Sequence, residues 1–406
     1  MYKSLKAVWR CVLTASVLLT LASASLAQVA ELPSVDSVAA LPVIGRVEPK
    51  LFSLYPLEGD TFVLPIDFPG ASSFRLHFSV LAPNDLPVGS WSIKITNFAD
   101  DQVRWALTPE SFVRSIWSSE IKGSRARVVV KAEPAVAGKL HVMIDKVAFL
   151  QSITIPQTEI DEKLTPITKV SGPLSNPIKA AGRSVARLII QQDGGDPVSC
   201  TGFLVGNDLL ITNRHCIRSG SEARNTDVQF DYDRDDAEPV QVQVKELLLT
   251  SCDLDFVLLR LDKSFACKNA ACSTVDERAP LRLARNPILT PGQTKLVAIQ
   301  HPDGEAKQVS VDGCIADALG LMGSSSTLTD FAHKCDTKGG SSGTPLQLIG
   351  NGNTIGAVVG LHHLGIRADT VKEGQPKQIN RAVTTKDIID YINRMKPALL
   401  AELALQ

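Results

Sequence analysis

From residue 61 to residue 151 the chain alternates apolar and polar positions in short runs. Phe74, Leu76, Phe78 and Val80 interleave with Ser73, Arg75, His77 and Ser79. Trp91, Ile93 and Ile95 repeat the pattern, as do Leu140, Val142 and Ile144. A period of two puts every second side chain on one face of a strand, and the Pro, Gly, Asn and Asp between runs favour turns. About six such strands predict a small antiparallel β-sandwich over 61–151. Trp91, Trp105 and Trp117 are then expected in its core rather than on a carbohydrate-binding face.

The flanks read differently. Residues 28–60 are Pro-punctuated and weakly patterned, as in an extended leader. Residues 152–182 carry Pro156, Pro166, Pro173 and Pro177 among polar residues, as in a linker. A second region, 183–396, returns to strand-like runs at 186–191, 201–205, 209–212, 240–249, 256–261, 295–300 and 354–361, so the fold class is all-β and a barrel suits the second region. The period changes only near the end. There Ile388, Ile389, Ile392 and Met395 recur at helical spacing behind Thr384 or Thr385, either of which can cap a helix. Residues 397–406 read as a C-terminal tail.

Composition narrows the function classes. The 406 residues are 44% hydrophobic and 21% charged, as in an ordinary globular chain of two domains. The 42 basic and 43 acidic residues give a formal net charge of −1, so no basic field recruits nucleic acid or anionic membrane. Residues 1–27 have the form of a signal peptide. Lys3, Lys6 and Arg10 precede an apolar run, and small residues end at Ser25-Leu26-Ala27, with Ala22-Ser23-Ala24 as the alternative cleavage site. The apolar run is shorter than the ~20 residues that span a bilayer. A secreted or periplasmic protein with no stable membrane anchor after cleavage is expected, in a compartment where disulfides persist. Apart from Cys11, the cysteines are Cys200, Cys216, Cys252, Cys267, Cys272, Cys314 and Cys335. All fall in the second region, and their odd number leaves one thiol unpaired or paired outside the chain. Their spacing fits no CxxC…CxxC zinc site, and neither metal nor cofactor is expected.

Three segments of the second region carry chemistry. Cys200-Thr-Gly-Phe-Leu-Val-Gly-Asn-Asp-Leu-Leu-Ile-Thr-Asn-Arg-His215-Cys216 leads two strands to a His, with a Cys at each end placed to staple its loop. Asp253-Leu-Asp255-Phe-Val-Leu-Leu-Arg-Leu261 opens a buried strand with an acid. Asp336-Thr-Lys-Gly-Gly-Ser-Ser342-Gly-Thr-Pro345 is a glycine-rich turn presenting serines. A serine hydroxyl needs an imidazole to take its proton, the imidazole needs a carboxylate to fix its tautomer, and the oxyanion needs backbone N–H donors on a tight turn. Ser342, His215, Asp255 and the amides of Gly340 and Ser342 supply these roles. Asp253 is the alternative acid and Ser341 the alternative serine.

These segments resemble the chymotrypsin-like (trypsin-fold) serine proteases. In that family the His, Asp and Ser lie in T-A-A-H-C, D-I-A-L-L and G-D-S-G-G-P; here they lie in T-N-R-H-C, D-F-V-L-L and G-S-S-G-T-P, in the same order. The resemblance runs over about residues 183–395 and is closest to secreted bacterial glutamyl and lysyl endopeptidases, which share T-x-G-G-S-S-G-[ST]-P. It implies two six-stranded antiparallel β-barrels with a C-terminal helix, a Cys200–Cys216 disulfide beside the catalytic His, and hydrolysis of peptide bonds. The region 61–151, with Ile116-Trp117-Ser-Ser-Glu-Ile-Lys-Gly123, resembles the β-sandwich before some lysyl-endopeptidase-like proteases.

The resemblance also has departures. Position 341 is Ser, where vertebrate trypsins carry the Asp that pairs with a new N-terminus, so zymogen switching by that ion pair is not expected. Residues 28 to about 170 are instead a candidate pro-segment, blocking the cleft or aiding folding. Asp336 stands where trypsin binds Arg or Lys, whereas Thr337 and His362 match positions at which glutamyl endopeptidases hold Glu. With His363, these are the candidate substrate-binding residues. The two readings oppose each other, since Asp336 would repel Glu and a protonated His362 would repel Lys or Arg. Residues 363–365 are expected to pair with substrate backbone. A metal role for His362-His363 lacks a third ligand nearby. His301-Pro-Asp-Gly304 reads as a structural turn. Cys314 and Cys335 are candidates to bridge the segment before the nucleophile turn, and Cys252, Cys267 and Cys272 allow one further bridge in three ways. The expected protein is a secreted, monomeric serine endopeptidase acting on proteins or peptides. Its rivals are a catalytically inactive homologue serving as an extracellular binding module, and an adhesion or glycan-binding protein led by the sandwich.

Overall fold

The computed structural model describes residues 41–54, 60–81, 86–98, 101–109, 115–150, 163–265, 277–324, 327–366 and 379–406. The expected signal peptide, residues 28–40 of the leader, residues 152–162 of the linker, and Cys11, Cys267 and Cys272 lie outside them.

The N-terminal sandwich is built from β1 (Gly45–Leu54), β2 (Thr61–Asp67), β3 (Ser73–Leu81), β4 (Trp91–Asn97), β5 (Val103–Leu107), β6 (Ser115–Trp117), β7 (Ile121–Lys122), β8 (Arg125–Ala132) and β9 (His141–Leu150), with one helical turn, α1 (Pro134–Ala137), before β9. One sheet runs β1-β9-β3-β6 with β7 also on β3, and the other runs β2-β8-β4-β5. The alternation seen in the sequence is what fills the space between them. Phe74, Leu76, Phe78 and Val80 of β3 meet Trp91, Ile93 and Ile95 of β4 and Val128 and Val130 of β8 in one buried cluster. Trp105 stacks on Phe78 with ring centroids 5.0 Å apart. Trp117 is buried too, beside His77.

Three boundaries differ from those expected. β1 falls inside the stretch read as leader. It pairs with β9 from Gly45↔Leu150 to Leu54↔Val142 across a bulge at Pro49/Phe52, and buries only Gly45 and Leu54. Backbone hydrogen bonds hold it, and these leave no hydrophobic period to read. Part of the linker is likewise structured: β10 (Thr165–Pro166) pairs with Gln308 and Val309, and α2 (Ser175–Gly182) buries Ile178 beside Ile167. The tail is docked as well, with Leu399 and Leu403 buried, Ala404 N–H on the Val205 carbonyl and Gln406 N–H on the Leu283 carbonyl.

The first barrel closes through β11 (Val185–Gln191), β12 (Pro197–Leu204), β13 (Leu209–Asn213), β14 (Thr226–Phe230), β15 (Val240–Ser251) and β16 (Phe256–Leu261), in the order β11-β12-β13-β16-β15-β14. A short helix, α3 (Gly220–Arg224), precedes β14. Every residue of β11, β12 and β13 is buried, because both faces of this wall are covered. The second sheet contains β17 (Leu296–Gln300), β18 (Gln308–Ser310), β19 (Ala316–Leu321), β20 (Asp330–His333), β21 (Pro345–Gly350), β22 (Thr354–Ile366) and β23 (Ile379–Thr384), in the order β10-β18-β17-β21-β22-β23-β20-β19. Leu296 N–H donates to Cys314 O and Ala316 N–H to Thr294 O, around a bridge between Lys295 and Ile315. These bonds join the ends, so six strands from β17 to β19 form a second ring, with β18 and β10 appended outside it.

Between the barrels Ile211, Phe256 and Leu258 pack against Val297, Ile299, Val358 and Val383. α4 (Thr385–Met395) closes this layer with Ile388, Ile389 and Ile392, and Thr384 caps it by accepting the Asp387 N–H. Met395, expected on the same stripe, is 53% exposed. No helix among the described residues is long and apolar enough to cross a membrane.

Sandwich and first barrel meet through buried polar groups. Arg187 of β11 pairs with Glu120 at 2.6 Å, and Gln229 donates to the same carboxylate at 2.8 Å. Asp227 accepts the Glu120 N–H at 3.0 Å, and Arg75 donates to the carbonyls of Ser118 and Asn225. Residues 42–44 run along β12, with Ser199 N–H on Pro42 O and Ile44 N–H on Pro197 O.

Candidate active site

β13 ends at Asn213 and delivers His215 to the face between the barrels. The Cys200–Cys216 disulfide ties the end of this loop back to β12. Asp255 ends the turn before β16, at φ 45°, a left-handed conformation that Asp tolerates better than most residues. Asn213 Nδ2 and the Arg214 N–H both donate to the Asp255 carbonyl, which anchors that turn. The His215 N–H donates to Oδ1 of Asp255 at 2.9 Å, and Nδ1 of His215 lies 2.6 Å from Oδ2. Nδ1 of His215 therefore donates to Asp255, and Nε2 is the ring nitrogen turned away from that carboxylate. That Nε2 is buried and has no hydrogen-bond partner among the described residues. Asp253, the alternative acid, is exposed.

Ser342 sits on a turn that only glycines can build. Gly340 has φ 84°, and a Cβ there would fall 2.8 Å from the His301 carbonyl oxygen. Gly343 has φ 90°, and its Cβ would fall 2.0 Å from the Thr201 carbonyl oxygen. The Thr201 N–H binds Ser342 O, Thr201 Oγ1 binds Gly340 O, and Gly343 N–H binds His362 O. Neither the Gly340 nor the Ser342 N–H donates to a backbone carbonyl among the described residues. Ser341 is fully buried, and its Oγ accepts the Lys338 N–H, whereas Ser342 is half-buried. The His301–Gly304 turn lies beneath: Asp303 N–H binds Gly339 O, and burial together with Lys307 keeps the His301 ring neutral well below its ordinary pKa. A second disulfide, Cys314–Cys335, holds the segment before the nucleophile turn.

The candidate substrate-binding residues separate. Asp336 is half-buried. Its N–H donates to Ser310 Oγ, its carbonyl accepts from Gln300, and burial pushes its carboxyl up. Thr337 is buried near Gly365 and the Asn380 amide. His362 lies 3.0 Å from His333, Nδ1 to Nε2. Burial drives both rings toward the neutral form, His333 to about 3. Beyond His362 that edge of β22 has no strand partner among the described residues, while the other edge pairs with β23 to Ile366.

His363 is placed otherwise than expected for a substrate contact. It is 4% exposed, and both ring nitrogens face carboxylates: Nδ1 lies 3.3 Å from Oδ2 of Asp255 and Nε2 lies 2.7 Å from Oδ2 of Asp330. The cause is a β-bulge. His362 pairs with Ala382 and Leu364 with Arg381, so His363 is the extra residue and its side chain is re-aimed. Burial disfavours charge on this ring, yet Asp255 and Asp330 outweigh it and push its pKa up to about 10. Burial also opposes ionisation of Asp255, but His215 and His363 together hold that carboxyl well below the usual range. Asp330 and His333 were missed in the sequence. Neither lies in a motif, and only a register including the bulge brings Asp330 opposite His363.

Residues 200–361 match the trypsin-like peptidase domain, a span that includes His215, Asp255 and Ser342. With the two rings of strands, this match supports a trypsin-fold protease; the glutamyl and lysyl endopeptidase branch is not distinguished by it. The chain is 28% identical over 199 residues to secreted RxLR effector protein 73 of Plasmopara viticola, covering 46% of each. It is 27% identical over 216 residues to uncharacterized protein y4fB of Sinorhizobium fredii (strain NBRC 101917 / NGR234), covering 50% of this chain and 31% of that protein. The chain thus spans less than half the length of these curated relatives. Among solved structures, the serine endoprotease from Yersinia pestis aligns with a TM-score of 0.39 at 16% identity, over 56% of this chain and 67% of that one.

Proposed function

We propose that the chain is an exported serine endopeptidase. The observation that carries this reading is the state of His215. Asp255 occupies its Nδ1 side, and among the described residues its buried Nε2 has no partner and the Gly340 and Ser342 amides of the glycine turn have no backbone acceptor. His301 Nε2 and His333 Nδ1 are also buried without a partner among the described residues, and the pairing with Asp255 sets His215 apart from both. In the proposed reaction Ser342 Oγ bonds to the peptide carbonyl carbon and its proton passes to His215 Nε2. The two amides hold the oxyanion. The C–N bond breaks as the leaving amine takes the proton from His215, and water then hydrolyses the acyl-enzyme by the same route. Substrate backbone adds along residues 363–365 of β22.

For selectivity, buried Thr337 and His362 support an acidic P1 side chain, recognised by hydrogen bonding, since burial holds the His362 and His333 rings neutral. Export rests on the signal-like residues 1–27, the two disulfides, and the secreted protein among the relatives. The buried contacts of Glu120 and Arg75 support a sandwich that scaffolds the first barrel rather than plugging the cleft. Digestion of a mixed peptide library by the chain without residues 1–27 tests the reading. Ser342-dependent cuts after Glu or Asp are expected. Cuts after Lys or Arg would reassign the pocket to Asp336, and cuts unchanged in Ser342→Ala would remove the mechanism.

A further inference from the structure

The bridge Asp330–His363–Asp255 is not needed by a three-residue relay, and its donor count gives it a charge. Each ring nitrogen of His363 lies nearest a carboxylate oxygen, which only accepts, and Ser324 Oγ stands farther off at 3.5 Å from Nδ1, so both ring nitrogens are placed to donate. A ring that donates from both nitrogens is an imidazolium. Asp255 Oδ2 then accepts from two rings, His215 and His363, while its Oδ1 takes the His215 N–H. We propose that His363, held as a cation between Asp255 and Asp330, is a positioning residue that fixes the Asp255 carboxylate for His215 and keeps His215 active as a base to lower pH.

The inference rests on the peptidase reading for its second half only; the charge on His363 stands or falls by itself. Asp255, from the turn before β16, and Asp330, from β20, face the ring directly. His215 lies beyond Asp255. His333 and His362 are neutral, and Arg381 on β23 lies near Asp330 with its own charge disfavoured by burial. Ser324 Oγ, 3.5 Å from Nδ1, adds no charge. A cation beside Asp255 weakens the pull of that carboxylate on a proton at His215, which must be neutral to act as base. Removing the cation therefore raises the pH at which His215 takes up a proton.

The direct test is 15N NMR of the histidine rings in Ser342→Ala at pH 7.5, with the His363 signal assigned by its loss in His363→Gln or by its response to Asp330→Asn. Both nitrogens of His363 are expected to be protonated. A singly protonated ring overturns the proposal whatever the activity of the protein. With active enzyme, the acid limb of kcat/KM in His363→Gln is expected to move up by about one pH unit, through kcat rather than KM. Asp330→Asn is expected to bring discharge of His363 down toward neutral pH and into the assay range. Unshifted profiles in both variants would overturn the positioning role. A protonated His363 in a protein without Ser342-dependent cleavage would instead sink the peptidase reading and leave the charged bridge standing.

Discussion

Two clusters of buried charge lean on the first barrel and are finished differently. Under the sandwich, Glu120 meets Arg187 at 2.6 Å and Gln229 at 2.8 Å, Asp227 accepts the Glu120 amide, and Arg75 donates to three backbone carbonyls. Between the barrels, Asp255 accepts from two imidazoles and one amide, yet His215 Nε2 has no partner among the described residues. A buried donor or acceptor left unpaired costs about 1–3 kcal/mol. Each cluster leaves an atom unpaired among the described residues, Asp227 Oδ1 in the first and His215 Nε2 in the second, but only in the second does that atom belong to an imidazole held by a carboxylate. Burial alone does not separate the two clusters, because Glu120 and Asp255 are both 7% exposed.

Variants on either side should therefore fail in different ways. The largest expected effect is Ser342→Ala, which should lower kcat by ~10⁶ while leaving the urea midpoint unchanged. Next is Glu120→Gln, which strands the Arg187 guanidinium in a buried site and should cost about 3–5 kcal/mol in urea unfolding. Its kcat/KM on the folded protein should be unaltered, and an equal loss of activity would blur the contrast.

Stability against pH gives a third separation. His363 has its pKa raised from 6.5 to about 10 in the fold, so its contribution is complete below pH ~6.5 and is lost as pH rises through ~10. Asp255 is depressed below its ordinary 3.8, so its contribution is present above that value and is lost as pH falls. In a Ser342→Ala background, melting temperature should decline above pH ~6.5, and Asp330→Asn should make that decline smaller and end it at lower pH. The smallest effect belongs to Thr384→Ala, outside both clusters. Loss of the α4 cap should cost about 1 kcal/mol without changing the pH profile.

Much of this architecture was legible where side chains carry a period or a motif. The runs at 74–80 and 91–95 became β3 and β4, and the contexts of His215 and Asp255 marked two residues that meet in a hydrogen bond. What was not legible depends on backbone pairing. β1 carries few buried side chains, so its pairing with β9 left no pattern. The structured part of the linker rests on two isoleucines, Ile167 and Ile178, among polar residues. His363 was grouped with His362 as a substrate contact because they are neighbours in sequence. A single extra residue in β22 turns it toward Asp255 instead, and brings in Asp330 from a strand with no motif.

The most direct measurement is the site of covalent capture. The chain without residues 1–27 should react with a fluorophosphonate probe, and mass spectrometry should place the adduct on Ser342, with none in Ser342→Ala. A folded protein that takes up no probe, or an adduct that persists in Ser342→Ala, would contradict the account.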